Sequence, residues 1–198
     1  SYGYMGQVDE AIDLLDELGP AMKGQWSVYG RFVYHEARVT VYEKAEVWDR
    51  VIEDGLAFVD WAETLTEADD AFLRTPTYIG ESHDPHLTGE SGLCYCIISV
   101  LTESELDAEQ ALGRDTSATF ARLERAADRY HACCESAKKT LASELDKATY
   151  AEHADWYDRR LGAGLGKIGE IASRLGRHSC ALSYINAEES LTGSLYGR

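Results

Sequence analysis

Between Phe120 and Leu175, apolar residues return at three- and four-residue spacing. The first series is Phe120, Leu123, Ala127, Tyr130, Cys134, Ala137, Leu141 and Leu145; the second is Ala154, Tyr157, Leu161, Leu165, Ile168, Ile171 and Leu175. A helix turning every 3.6 residues brings such positions to one side, whereas a half-buried strand needs strict alternation. The spacing predicts two long helices joined by a turn near Asp146–Thr149 and paired as an antiparallel αα-hairpin. Gly176 is placed to end the second arm, and a short last helix is expected from about Ser179 to Leu191. Only Pro20, Pro76 and Pro85 interrupt the chain with the strongest helix breaker, which favours helix elsewhere too.

Upstream, Val8, Ala11, Ile12, Leu14, Leu15 and Leu18 form a helical stripe that Gly19-Pro20 should stop. From Gln25 to Leu65 the stripe Val28, Phe32, His35, Val39 and Tyr42 continues through Val47, Val51, Phe58, Ala62 and Leu65, with an irregularity expected near Gly55. Val33, His35, Ala37, Val39 and Val41 also alternate, so residues 26–42 could be read as strand; the longer periodicity favours helix. Thr75 to Gly92 collects Pro76, Pro85, Gly80, Gly89 and Gly92 and reads as loop. The apolar run from Gly92 to Leu101 is too short for the ~20 residues of a membrane span and reads as core. Thr102-Glu103-Ser104-Glu105 then resembles a capping box opening a short helix that ends at Gly113. The expected fold is an all-α helical bundle in a single domain over 1–198: acidic helices in 1–74, a loop in 75–92, a short helix in 93–113, and the hairpin with its final helix in 115–191.

A chain of 198 residues with 44% hydrophobic side chains can build one core, which excludes wholesale disorder. Its 35 acidic and 19 basic residues leave −16, a field that repels phosphate and disfavours direct nucleic-acid binding or an anionic membrane. The charge is uneven: residues 1–70 carry 16 acids and 5 bases, 71–115 carry 8 and 2, and 116–198 carry 11 and 12. All of the excess negative charge thus precedes the hairpin. Uniform solubility would spread acid over every face, so the asymmetry points to an interaction surface for a basic protein partner or for self-association. The densest stretch is Asp49, Glu53, Asp54, Asp60, Glu63, Glu67, Asp69 and Asp70. Carboxylates on successive turns could also imitate a phosphate backbone, so an acidic nucleic-acid mimic is a further reading; solvated surface is the ordinary one.

Helical bundles can hold metals through inward Glu and His, which makes Asp128, His131 and Glu135 on one helical face candidates, with Glu152, His153 and Asp158 on the opposed arm and His35 beside Glu36. No Glu-x-x-His occurs, and His131 and His153 flank their stripes, so boundary residues are the simpler reading. His83 and His86, around Asp84-Pro85, supply two zinc-type ligands where at least three are needed. Gly164-Leu165-Gly166-Lys167-Ile168-Gly169 spells GxGxxG, but a dinucleotide site needs that string between strand and helix; here these glycines, with Gly162, fit a close approach of the two arms, or a kink, better. The five cysteines Cys94, Cys96, Cys133, Cys134 and Cys180 are an odd number without a CxxC pair, the pattern of free thiols in a reducing compartment. Ser1 to Gly6 lacks the basic and apolar regions of a signal peptide, so the cytoplasm is expected, with no cofactor.

Two segments invite a family comparison. Gly6-Gln7-Val8-Asp9-Glu10-Ala11-Ile12-Asp13-Leu14-Leu15 resembles the second helix of a tetratricopeptide repeat. Ile168-Gly169-Glu170, Leu175-Gly176-Arg177-His178 and Ala181-Leu182-Ser183-Tyr184 together are similar to its inter-helix region. The resemblance covers under a quarter of the chain, and the middle has no 34-residue period, which a solenoid requires. What it implies is peptide or protein binding. Charge and resemblance lead to one expectation: a non-catalytic interaction, scaffold or assembly subunit, with a metal-dependent helical-bundle enzyme as the alternative.

Overall fold

A computed structural model of the chain describes residues 8–22, 28–65 and 89–196, and the regular elements among them are all helical. The fold is all-α. Two compact units emerge: Ser1–Arg74 with Gly92–Ala126, and Thr75–Ser91 with Ala127–Arg198. Among the described residues no helix is long and apolar enough to cross a membrane.

The first unit contains α1 (Val8–Met22), α2 (Val28–Lys44) and α3 (Trp48–Thr64). Helix α1 passes through Gly19-Pro20 instead of stopping there. Pro20 forgoes a backbone bond within the last turn, where little helix remains to be disrupted. Gly19 serves close packing, since a Cβ there would lie 2.5 Å from the Tyr34 hydroxyl on α2. In α2 the helical stripe prevails over the alternating one: Phe32, His35, Val39 and Tyr42 are buried, while Val33 is 41% exposed. The irregularity expected near Gly55 lies at Glu46, whose φ of 57° ends α2. The Val47 N–H reaches the Tyr42 carbonyl at 3.0 Å, so Glu46 occupies the left-handed position usually given to glycine. Helix α3 then runs through Gly55 without a break. Val39, Tyr42, Val51, Ile52 and Ala108 form a core cluster, flanked by Ile12, Trp48 and Leu56.

Helix α4 (Gly89–Val100) begins inside the stretch expected to be loop and leads through a π-helical segment, Leu101–Glu105, into α5 (Leu106–Ala111). The expected capping box is therefore not a helix start. The Leu106 N–H bonds the Leu101 carbonyl, one residue further back than in an α-helix. Thr102 Oγ1 donates to the Ile98 carbonyl at 2.8 Å and the Ser99 carbonyl at 3.3 Å instead of capping a terminus. Burial explains the difference: Leu93, Cys94, Cys96, Ile97, Val100, Leu101, Leu106 and Ala108 are all core, and a start at Thr102 would expose part of that face. Gly113, at φ 65°, ends α5 as its position suggests.

Helix α6 (Ser117–Glu144) crosses the boundary between the units at Ala126. In the second unit α7 (Lys147–Arg174) follows after two residues, and α8 (His178–Tyr196) is longer than the short helix expected. Asp146 caps α7 by accepting from the backbone N–H groups of Ala148 and Thr149 at 3.0 and 3.1 Å. The stripes are core: Leu141, Tyr157 and Ile168 are fully buried. Gly176, at φ 73°, ends α7, and the Arg177 N–H closes on the Ala172 carbonyl at 2.8 Å. Of the GxGxxG glycines, Gly166 and Gly169 serve the α7–α8 contact and not an approach of α7 to α6. A Cβ on Gly169 would stand 3.1 Å from Ile185 Cγ1, and one on Gly166 would meet the Glu188 carboxylate, whereas Gly164 faces open space.

Candidate functional site

The polar chemistry of the first unit gathers where α2, α3 and the π segment meet. Arg38 organises one half. Its Nε donates to both oxygens of Asp54 at 3.0 and 2.9 Å, its Nη2 donates to Tyr42 Oη at 2.9 Å, and its Nη1 donates to Asp16 on α1. One guanidinium thus ties three helices, using the fixed fork that makes Arg suited to carboxylates. It also lies 5.6 Å from the ring centres of Tyr34 and Tyr42. Burial acts to lower the Arg38 pKa, but Asp16 and Asp54 outweigh it and raise the value. Burial likewise pushes Asp54 up, yet His35 and Arg38 hold it below the ordinary carboxylate range. His35 is buried, with Nδ1 at 3.7 Å from Asp54 Oδ1 and its ring 5.8 Å from that of Phe58.

The other half is a buried acid. Glu105 is fully buried, and neither carboxylate oxygen has a hydrogen-bond partner among the described residues. Its side chain fills the space that a Cβ on Gly55 would need: Cδ and Cγ lie 2.6 and 3.2 Å from that position. Burial is the main reason its pKa rises to about 9, with Glu109, Asp54 and Glu43 adding to the rise and Arg122 opposing it. Glu109, also buried, accepts from Thr119 Oγ1 at 2.7 Å through one oxygen, and the other has no hydrogen-bond partner among the described residues. At neutral pH this half of the site therefore holds a protonated carboxylic acid in the core. No protein-family model, curated protein or solved structure matches the chain.

The acidic stretch is distributed differently from a bare charged face. Asp49 pairs with Arg114, Glu53 with Arg50 at 2.6 Å, and Asp60 and Glu63 with Arg122, the latter at 2.8 Å. Asp54 faces inward to Arg38, while Glu67, Asp69 and Asp70 lie outside the described residues. The carboxylates that make no ion pair among the described residues include Glu10, Asp13 and Glu17, all exposed on α1. They share a face with Leu14 and Leu18, which are 45% and 43% exposed. Positions 10, 13, 14, 17 and 18 follow the spacing of one helical stripe, separate from the stripe of Ala11, Ile12 and Leu15.

The residues weighed for metal binding are scattered. Asp128, His131 and His153 are exposed, His35 is committed to the Asp54 side of the first unit, and Glu135 and Asp158 both bind Lys138 Nζ, at 2.9 and 2.8 Å. Among the described residues no three His, Cys, Asp or Glu side chains stand as a metal-binding group. His83 and His86 lie outside those residues, as do Gly6 and Gln7 of the repeat-like segment. In the second unit a groove of about 370 Å³ is lined by Glu90, Arg129, Cys133, Ser136 and Thr140. Burial raises the Cys133 thiol to about 11, so it stays protonated and a poor nucleophile. Sequence reasoning overlooked Glu105, Arg38 and the pairing role of Arg122. A glycine in the middle of a strong helical stripe, Gly55, was the one signal of a close partner.

Proposed function

We propose that this chain is a non-catalytic interaction subunit of the cytoplasm, and that the outer face of α1 docks a basic partner protein. The observation that carries the reading is the α1 stripe Glu10, Asp13, Leu14, Glu17 and Leu18, acidic at three positions and apolar at two. Exposed leucines flanked by carboxylates that make no ion pair among the described residues suit an amphipathic helix with apolar residues in its seam and Lys or Arg at its edges. The α3 carboxylates already have arginine partners in the chain, which shifts the interaction role from the dense acidic stretch to α1. The free thiols of all five cysteines suit a reducing compartment, and the net negative charge disfavours nucleic acid as the partner.

The test is calorimetric titration of the full chain with a synthetic amphipathic helix carrying leucine in its seam and lysine at its edges. Binding should weaken from 0.01 to 1 M salt, as the Debye length falls from ~30 to ~3 Å. It should also weaken on Leu14→Ala with Leu18→Ala, and be unaffected by Asp60→Asn with Glu63→Gln. Binding that ignores the leucines, or that follows the α3 carboxylates instead, removes α1 as the docking face.

A further inference from the structure

A carboxyl group with both oxygens unpaired in a helical core must be neutralised, and three agents could do it: a basic side chain, a metal or a proton. The nearby bases are spoken for. Arg122 donates to Asp60 and Glu63, and Arg38 to Asp54 and Asp16. The charged groups facing Glu105 are Glu43 from α2, Asp54 from α3, Glu109 from α5 and Arg122 from α6, three acids against one base. No third ligand joins Glu105 and Glu109 as a metal-binding group among the described residues. The proton remains.

The position of this acid matters as much as its state. Glu105 is the last residue of the π segment, the one place where the long helix from Gly89 to Ala111 departs from α geometry. Such single-turn π segments hold one extra residue and recur at functional sites. Thr102 Oγ1 supplies a donor to the Ile98 and Ser99 carbonyls where the register changes. Opposite stands Gly55, whose missing side chain leaves the room that the Glu105 carboxyl occupies. Moving the extra residue along the helix turns each side chain it passes by about 100°, the angle per residue of an α-helix, which takes Glu105 off the α3 face without breaking the chain.

We propose that Leu101–Glu105 is a proton-gated latch: with Glu105 neutral the segment seats against Gly55 of α3, and when Glu105 gives its proton to solvent the carboxylate leaves the core and the segment parts from α3. Opening uncovers Leu101 and Leu106, both fully buried in the seated form. The pH range follows from the two states. A carboxyl held up to about 9 when seated, against an ordinary 4.5 when free, keeps its full contribution to the seated state below 4.5 and loses it as pH rises towards 9. Over that span the opening equilibrium shifts by up to about tenfold per pH unit.

The experiment uses the full chain. Native-state hydrogen exchange of residues 101–111 is followed from pH 6 to 10 and corrected for base-catalysed exchange, for the wild type and Glu105→Gln. Carbon NMR of labelled glutamate carboxyls runs in parallel, Glu105 being assigned by its loss in the variant. The latch predicts that wild-type protection falls with pH while that of Glu105→Gln stays level, and that the Glu105 carboxyl titrates far above the other glutamates. Parallel profiles for the two proteins overturn it. So does a Glu105 carboxyl that titrates in the ordinary range, since that means the core accepts the charged form; should Glu105→Gln not fold, wild-type protection that stays level with pH overturns the latch.

Discussion

Asp54 and Gly55, neighbours on α3, do opposite things for the buried acids around them. Asp54 stays ionised because Arg38 and His35 favour its charge, whereas Gly55 makes room for a carboxyl whose charge nothing favours. Gly→Ala in an exposed helix interior gains about 1 kcal/mol. At Gly55 the sign should reverse, because the new Cβ meets Glu105 Cδ at 2.6 Å. Gly55→Ala should lose about 1–3 kcal/mol to overpacking, read from urea unfolding, and adding Glu105→Ala should recover part of that loss. Additive single losses would show that the two residues do not share the space. Neither effect was legible in the sequence. Gly55 was visible as an oddity in an apolar stripe, but its partner lies fifty positions along the chain.

At the level of the elements, periodicity foretold where helices lie better than where they end. The stripes of α6 and α7 are buried as their spacing predicts, and Gly113 and Gly176 stop helices because a positive φ suits a residue without a Cβ. Glu46 was missed for the converse reason: it takes the same left-handed conformation with a side chain attached, and nothing in its type announces it. Thr102 to Glu105 has the residue pattern of a capping box yet forms a buried π segment, because the two draw on the same residue types and only burial separates them. The glycines of α7 provide a contrast that tests the packing. Gly164→Ala, with open space around it, should gain about 0.5–1 kcal/mol, while Gly169→Val, pressed on Ile185 and the Ala181 carbonyl, should lose about 1–3 kcal/mol. Chemical denaturation of the two variants would refute the α7–α8 contact if both changed stability in the same direction.

For the whole molecule the dominant quantity is charge, and the fold changes what that charge means. Arg38 and its carboxylates tie α1, α2 and α3, so acid should weaken the first unit through Asp54. A carboxyl held below its ordinary 3.8 contributes stability that is present above that value and lost as pH falls through its lower folded value. Asp54→Asn should therefore cost about 1–3 kcal/mol at pH 7, the scale of hydrogen bonds to a charged group, and the gap from wild type should close below about pH 4. Thermal midpoints at pH 7 and pH 3 check this; a constant gap would mean that Asp54 acts through its shape alone. The sequence by itself determined the helical class, the buried stripes and the excess of acid before residue 116, because those depend on residue type and on spacings within a few turns. Only the tertiary structure decided that Arg38, Arg114 and Arg122 take up much of the acid on α3, that exposed acid of α1 flanks exposed leucines, and that Glu105 is enclosed opposite Gly55. Those pairings join residues far apart in the chain, and whether a carboxylate meets a guanidinium, water or a glycine depends on how the helices pack, which no local pattern records.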